Sequence, residues 1–325
     1  MTNKTIAITI GDIKGIGIDL LIKFWKKNKE KNLILFSNFE ILKKYLKKNN
    51  INININLINF SENKINYKKN KLNVFSYNCN SLEDNTYKSL KFAYKFCNLK
   101  LCIGVINLPL RKDLIKELLD KKFIGQTEYY QKIDKKEYSN MILFHKKIII
   151  SPLTTHIPLK KISTKLKDKE FLKNQIVNLR NTLAIDFKIS NPKLIISGFN
   201  PHAGENGKIG NEEIKSIIPV VKKLNKLGIN IVGPISADSM LITKNLKKFD
   251  CFVFIYHDQA LIPFKYISQF SGVNYTGNLS IIRTSPDHGT AYNLVGKDNV
   301  SIKSFENCFK LINRVFKNRN KYAKG

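Results

Sequence analysis

Histidine is scarce in this 325-residue chain, and three of its five histidines stand where chemistry could be done. His156 follows the apolar run Ile148–Ile150 in SPLTTHIPL, His202 follows Leu194–Ser197 in GFNPHAG, and His257 follows Phe252–Tyr256 in YHDQ. Each time a strand-like run ends and a polar loop begins. Parallel α/β sheets bind ligands beyond the carboxyl ends of their strands. Three imidazoles delivered to that edge could hold a Zn2+-like cation and leave a coordination position open for substrate. They lie far apart in the chain and form no local metal motif, so spacing alone leaves open three unrelated histidines.

The rest of the chain supplies the elements such an edge needs. Strand-like and helix-like segments alternate nearly from end to end, the pattern of an α/β fold with a largely parallel sheet. Thr5–Ile10 reads as a strand, GDIKGIG as a loop, Ile18–Lys29 as an amphipathic helix, Asn32–Ser37 as a strand and Glu40–Lys48 as a Lys-rich helix. Ile51–Leu57 alternates Ile and Asn with period two, predicting a strand with a wet face at a sheet edge. Ser61–Asn73 is polar and loop-like. Asn85–Cys97 has helical spacing, and Leu101–Ile106 is a further strand. Lys193–Ser197 predicts a strand opening onto GFNPHAGENGKIG. Asn211–Leu227 then starts a helix with Glu212 and Glu213 in its first turn, where the dipole favours carboxylates. Asp250–Tyr256 is a strand, and Ser304–Asn318 a closing helix. Gly204–Gly210 could cradle a phosphate or merely connect. It is not in the GxGxxG register, so the usual dinucleotide fingerprint is absent.

Composition narrows the class. Hydrophobic residues make up 43% and charged residues 25%, which is globular usage. No apolar run is long enough to span a bilayer, and the opening MTNKTIAITIGD is no signal peptide. Five cysteines, never spaced CxxC, argue for a reducing, cytoplasmic setting. The net charge of +31 raises the question of nucleic acid. The lysines, however, are spread along outer helix faces among Asn and Ile, without the aromatic and glycine interleaving of RNA-binding surfaces. Neither nucleic acid nor membrane is the expected partner. The same field would steer an anionic substrate.

The strings GDIKGIGIDL, GQTEYY, TTHIPLKKI, SGFNPHAGENGKIGNEEI, GPISADSML, YHDQALIPFKY and GVNYTGNLSIIRTSPDHGTAYNLVGK lie between Gly11 and Lys297, within a resemblance that extends from residue 5 to about residue 305. In order and nearly in spacing they resemble the 4-hydroxythreonine-4-phosphate dehydrogenase family of pyridoxal phosphate biosynthesis. HGTAYNLVGK also looks like the adenine-binding loop of isocitrate and isopropylmalate dehydrogenases, which lets a nicotinamide enzyme lack GxGxxG. The resemblance implies two α/β/α subdomains around a central cleft. Residues 1–125 with 273–325 would carry the nucleotide loop, and 126–272 the metal ligands and dimer contacts.

It further implies NAD- or NADP-dependent oxidation of a phosphorylated substrate in a homodimer with shared active sites. One divalent ion per site (Zn, Mg or Co) would be held by His156, His202 and His257, with His257 brought from the other subunit. Gln126, Thr127, Lys265, Asn274 and Arg283 match substrate-binding positions. Gly289, Thr290, Tyr292 and Leu294 fall in the cofactor loop. Asp258 is either an acid/base or a carboxylate that orients His257, and Lys265 would add charge beside the reacting hydroxyl. Arg283 suits a phosphate or carboxylate because its planar fork binds two oxygens.

The chain departs from the family pattern in places. Gln126 stands where a substrate-binding histidine is expected, GDPAGIGPE has become GDIKGIGID, TLGLP is TGNLS at Thr276–Ser280, and a PINK-like turn reads PLRK at Pro109–Lys112. Changed contacts of this kind leave room for another four-carbon phosphate, 4-phospho-D-threonate or 4-phospho-D-erythronate.

Overall fold

Short, β-branched apolar runs and capped amphipathic segments alternate as the sequence predicts. The computed structural model describes residues 4–29, 31–61, 64–297 and 300–323. Its first elements are β1 Ile6–Thr9, α1 Gly17–Lys27, β2 Leu33–Phe36, α2 Phe39–Lys48, β3 Ile55–Leu57, β4 Phe60–Ser61, β5 Lys64–Ile65, β6 Leu72–Phe75, α3 Leu82–Asn98 and β7 Gly104–Asn107. There follow α4 Lys112–Leu118, α5 Gln126–Ile133, β8 Asn140–His145, β9 Ile148–Thr154, α6 Ile162–Leu166, α7 Lys169–Asp186, β10 Leu194–Ser197 and α8 Ile218–Lys226. The last are β11 Ile231–Ile235, α9 Thr243–Lys248, β12 Cys251–Tyr256, α10 His257–Ser268, β13 Val273–Gly277, β14 Arg283–Pro286 and α11 Lys303–Tyr322. Helix starts are set by side chains that accept orphan amides: Asn38 from Ile41 before α2, Ser81 from Asp84 before α3, and Asp168 from Phe171 before α7.

The chain divides into two compact units, 1–134 with 279–317, and 135–278 with 318–325. The expected division was 1–125 with 273–325, and 126–272. The difference has local causes. Gln126 and Thr127 on α5 bond Arg283 of β14, which keeps α5 in the first unit. β13 pairs antiparallel with β8, Asn274 opposite Leu143, which keeps it in the second. Arg319 binds the buried Asp186 carboxylate at 2.7 and 3.0 Å, fastening the last residues to the second unit as well.

Within the first unit the strands run β14-β7-β1-β2-β6-β3, every neighbouring pair parallel. All four residues of β1, β2 and β7 are buried, as a sheet covered on both faces requires. Phe36 and Phe75 pack against Phe96 of α3, with the Phe36 and Phe96 rings edge to face at 4.9 Å. β3 does lie at the edge, but it is shorter than predicted and faces the other way. Asn56 is buried and Leu57 exposed. Asn56 is tolerated inside because its amide donates to Asn73 Oδ1 at 2.8 Å and to Asn66 O at 2.9 Å. The stretch read as a loop, Ser61–Asn73, also contains β5 and the start of β6; residues 62 and 63 lie outside the described residues.

Within the second unit the order is β11-β10-β12-β9-β8-β13. β11, β10, β12 and β9 are mutually parallel, whereas β8 opposes both its neighbours. Ile150, Ile195, Phe252, Phe254 and Phe264 form its core. The helix expected over Asn211–Leu227 opens as a π turn, Glu213–Ile217, before α8 begins. Among the described residues no helix is long and apolar enough to cross a membrane.

Candidate active site

The three histidines all belong to the second unit, and they follow three adjacent parallel strands, β9, β12 and β10. Their strands therefore end on one edge. His156 stands just past β9, and His202 stands in the turn after β10. His257 does not begin a polar loop as expected: it is the first residue of α10, because the extended Tyr256 delivers the chain directly into a helix. Two of the three sit on left-handed backbone, His156 at φ 32° and His202 at φ 51°. Residues with a Cβ are rarely held there, and such strain gathers at functional sites.

Within one chain the geometry pairs His156 with His257. Their ring centroids are 5.8 Å apart, and they line a cavity of about 160 Å³ together with Thr154, Thr155, Tyr256 and Asp258. His257 Nδ1 and Asp258 Oδ1 are 2.7 Å apart. A carboxylate oxygen accepts here and Nδ1 donates, which leaves Nε2 as the ring atom turned away from Asp258. Among the described residues no three His, Cys, Asp or Glu side chains come together as a metal site. The chain thus brings together two imidazoles of the expected set and leaves His202 on its own exposed turn.

Lys265 lies two turns further along α10, its ammonium 4.8 Å from the Phe270 ring centroid. Asn274 is half-buried on β13, and its Oδ1 is buried without a hydrogen-bond partner. A native protein rarely leaves such an acceptor unmet, so a ligand donor is a natural complement.

The first unit gathers Gln126, Thr127 and Arg283. Arg283 is 2% exposed. Its Nε donates to Asn107 Oδ1 at 2.7 Å, one terminal nitrogen to Thr127 Oγ1 at 3.2 Å, and the other to Gln126 Oε1 at 2.7 Å. Burial pulls the guanidinium down to about 10, against smaller opposing contributions from Tyr130 and Glu128. It is still cationic at neutral pH. The Gln126 amide is used at both ends, since its Nε2 donates to Leu108 O at 3.0 Å. Sequence reasoning passed over Asn107, which also donates to Thr9 Oγ1 and to the Tyr130 hydroxyl. The available signal was a polar residue closing the apolar strand Gly104–Asn107.

The 288–297 segment is tied to the N-terminal loop and α1 of the same unit. Ile16 N donates to Thr290 O, the Tyr292 hydroxyl to Asp12, and Gly296 N to the Asp19 carboxylate. Gly15 makes this approach possible, because a Cβ there would stand 2.7 Å from Thr290 O. Two cavities border the segment. One, of about 250 Å³, is lined by Asp12, Lys14, Arg111 and Tyr292; the other, of about 540 Å³, is lined by Ile41, Lys44, Tyr45 and Val295. Leu294 is half-buried beside them, and Gly289 opens on empty space.

An α/β scaffold of this kind is shared with an isocitrate dehydrogenase from Methylococcus capsulatus. That structure aligns with a TM-score of 0.50 over 97% of this chain and 86% of its own, at 9% identity, and so speaks to the fold alone. Much nearer is a crystal structure of 4-hydroxythreonine-4-phosphate dehydrogenase from Klebsiella pneumoniae, with a TM-score of 0.82 and 25% identity over 97% and 98% of the two chains. A 4-hydroxythreonine-4-phosphate dehydrogenase from Wigglesworthia glossinidia brevipalpis is 35% identical over 316 residues, 94% of this chain and 95% of its own. Residues 29–312 match the family model of the pyridoxal phosphate biosynthetic protein PdxA. The chain belongs to the PdxA family.

Proposed function

We propose that the chain oxidises 4-phosphooxy-L-threonine with NAD or NADP to 2-amino-3-oxo-4-phosphooxybutanoate. That β-keto acid loses CO2 to give 3-amino-2-oxopropyl phosphate on the way to pyridoxal phosphate. Membership of the PdxA family carries the reading. The local support is the placing of three histidines beyond three adjacent parallel strands, two of them on strained backbone.

The residues present suit the two groups the reaction needs. His156 and His257 offer imidazole nitrogens beside a cavity, with His202 as the third ligand. The tied 288–297 segment and its neighbouring cavities suit a dinucleotide. When bound, a divalent cation would supply Lewis acidity toward the secondary hydroxyl, and the nicotinamide would supply the hydride acceptor.

The chain's own groups then have separate tasks. Asp258 accepts from Nδ1 of His257 and fixes its tautomer, which favours the orienting role over direct proton transfer. Lys265 places positive charge where an oxyanion develops. Asn274 offers its unmet carbonyl to a substrate donor. Arg283 holds a fixed positive charge for the substrate's anionic end, and Thr127 and Gln126 keep its plane oriented.

The active form is a homodimer with shared sites. Ile262 and Tyr266, 71% and 80% exposed on α10, together with Phe270, 51% exposed just past its end, leave an apolar patch of the kind a second copy would cover. The decisive assay is NADH or NADPH formation from 4-phosphooxy-L-threonine by Zn-, Mg- or Co-loaded protein. 4-Phospho-D-threonate and 4-phospho-D-erythronate serve as rivals, and turnover of either rival alone would reject the substrate assignment.

A further inference from the structure

The turn that carries His202 is held from behind by a buried carboxylate. Five consecutive residues, His202, Ala203, Gly204, Glu205 and Asn206, have left-handed backbone, with φ of 51, 52, 79, 43 and 55°. Four of them have a Cβ, and each such residue is disfavoured by roughly 1 kcal/mol or more. A run of this kind does not hold itself. Glu213, 1% exposed, lies beneath it. One oxygen accepts from the backbone N–H groups of Phe199 and Asn200, both at 2.8 Å, and the other from Asn200 Nδ2 at 2.9 Å. The neighbouring Glu212 carboxylate accepts from the same amide at 2.8 Å. Gly204 closes over the arrangement: a Cβ there would stand 2.7 Å from Glu213 Oε2. The dipole role expected of Glu213 at a helix start does not account for its turning inward onto residues 199 and 200.

We infer that Glu213 is a positioning residue: by clamping Phe199 and Asn200 it fixes the left-handed turn and presents His202 for metal ligation. The inference rests on the reading of His202 as a ligand. Glu213 touches neither metal nor substrate; it acts through the backbone it holds. Glu213→Gln keeps the volume but turns one acceptor into a donor facing donors.

The test is Co2+ binding to the full-length protein, by calorimetry and visible absorption, in wild type, Glu213→Gln, His202→Ala and the double variant. Glu213→Gln should weaken Co2+ binding about tenfold, with wild-type far-UV circular dichroism and one cooperative melt. In the His202→Ala background it should have no further effect, since coupled residues are not additive. Wild-type Co2+ affinity in Glu213→Gln, with His202→Ala weakened, overturns this inference alone. An undiminished Glu213→Gln loss without His202 overturns it too. Wild-type affinity in His202→Ala removes both the metal reading and the inference. Should Glu213→Gln not fold, Gly204→Ala, which pushes a methyl against the same oxygen, must show the same dependence on His202.

Discussion

The Arg283 cluster and the histidine cluster solve opposite problems. Arg283 is fully buried, and its guanidinium is already oriented by neutral oxygens from Asn107, Thr127 and Gln126. The histidines are exposed or half-exposed, one pair faces a cavity, and the third stands on its own turn. A charge that must always be present can be built into a core, where truncation leaves several unmet acceptors. The metal set proposed for the histidines would take its ion from water, which suits accessible ligands with strain stored in the backbone that carries them. One cluster should therefore fail through stability and binding together, the other through metal content with the fold intact.

The histidines give the largest effect. Within one chain the His156 and His257 rings lie 5.8 Å apart, which sets a second way of sharing a proposed dimeric site beside the expected one, His156 and His202 from one subunit with His257 from its partner. Mixing His202→Ala chains with His156→Ala/His257→Ala chains should restore metal and activity, to about a quarter of wild-type sites in a twofold dimer mixed at random. Each parent alone should be inactive yet folded. Recovery instead from His156→Ala/His202→Ala mixed with His257→Ala would reinstate the other sharing.

Arg283→Met comes next. Three buried acceptors lose their donor, so stability should fall by about 3 kcal/mol or more and kcat/KM by at least about a hundredfold. Arg283→Lys, with charge but no fork, should lie between. A Met variant that melts like wild type and keeps its KM would break the contrast between the clusters.

What the sequence made legible follows from what side chains say about their own surroundings. The histidines were visible because apolar runs stop just before them, and the runs proved to be neighbouring parallel strands. Asn56 misled, because alternation tells which residues share a face but not which face is buried when Asn73 and Asn66 satisfy the amide. The left-handed turn at 202–206 was hidden for a different reason. Only Gly204 advertises it, and the support comes from Glu213 through tertiary contact. Asn107 and Gln126 likewise acquire their meaning only when β7, β14 and α5 meet.

Gln126 sharpens the comparison further. From the family pattern alone, Gln126→His should lower KM for 4-phosphooxy-L-threonine, most clearly at acidic pH. The geometry adds an effect on stability that runs against this at acidic pH. An imidazole there would lie against the buried Arg283 cation, so its protonation is disfavoured and its folded pKa falls below the ordinary value near 6.5. The unfolded chain then binds a proton that the folded one refuses. Any difference in stability from wild type is constant above about pH 7, and further stability is lost as pH falls through about 6.5. Melting curves of Gln126→His between about pH 5 and 8 measure this directly. A variant more stable than wild type at pH 5 would mean that the imidazole points away from Arg283.

Asn274 should give the smallest effect and the cleanest separation of binding from folding. Its Oδ1 is buried and no protein group donates to it, so removing that oxygen breaks no intramolecular hydrogen bond. Asn274→Leu removes the oxygen at nearly constant volume. Stability should therefore change by less than about 0.5 kcal/mol or improve slightly, because an unpaired polar group has been replaced by an apolar one. If a substrate donor meets Oδ1, one hydrogen bond of about 1 kcal/mol is lost on binding, a roughly fivefold rise in KM with kcat nearly unchanged. Arg283→Met lowers stability and kcat/KM together, whereas Asn274→Leu should move KM alone. Unchanged KM with unchanged stability would show that no substrate group reaches β13 at this position, and the donor for Asn274 would have to be sought elsewhere.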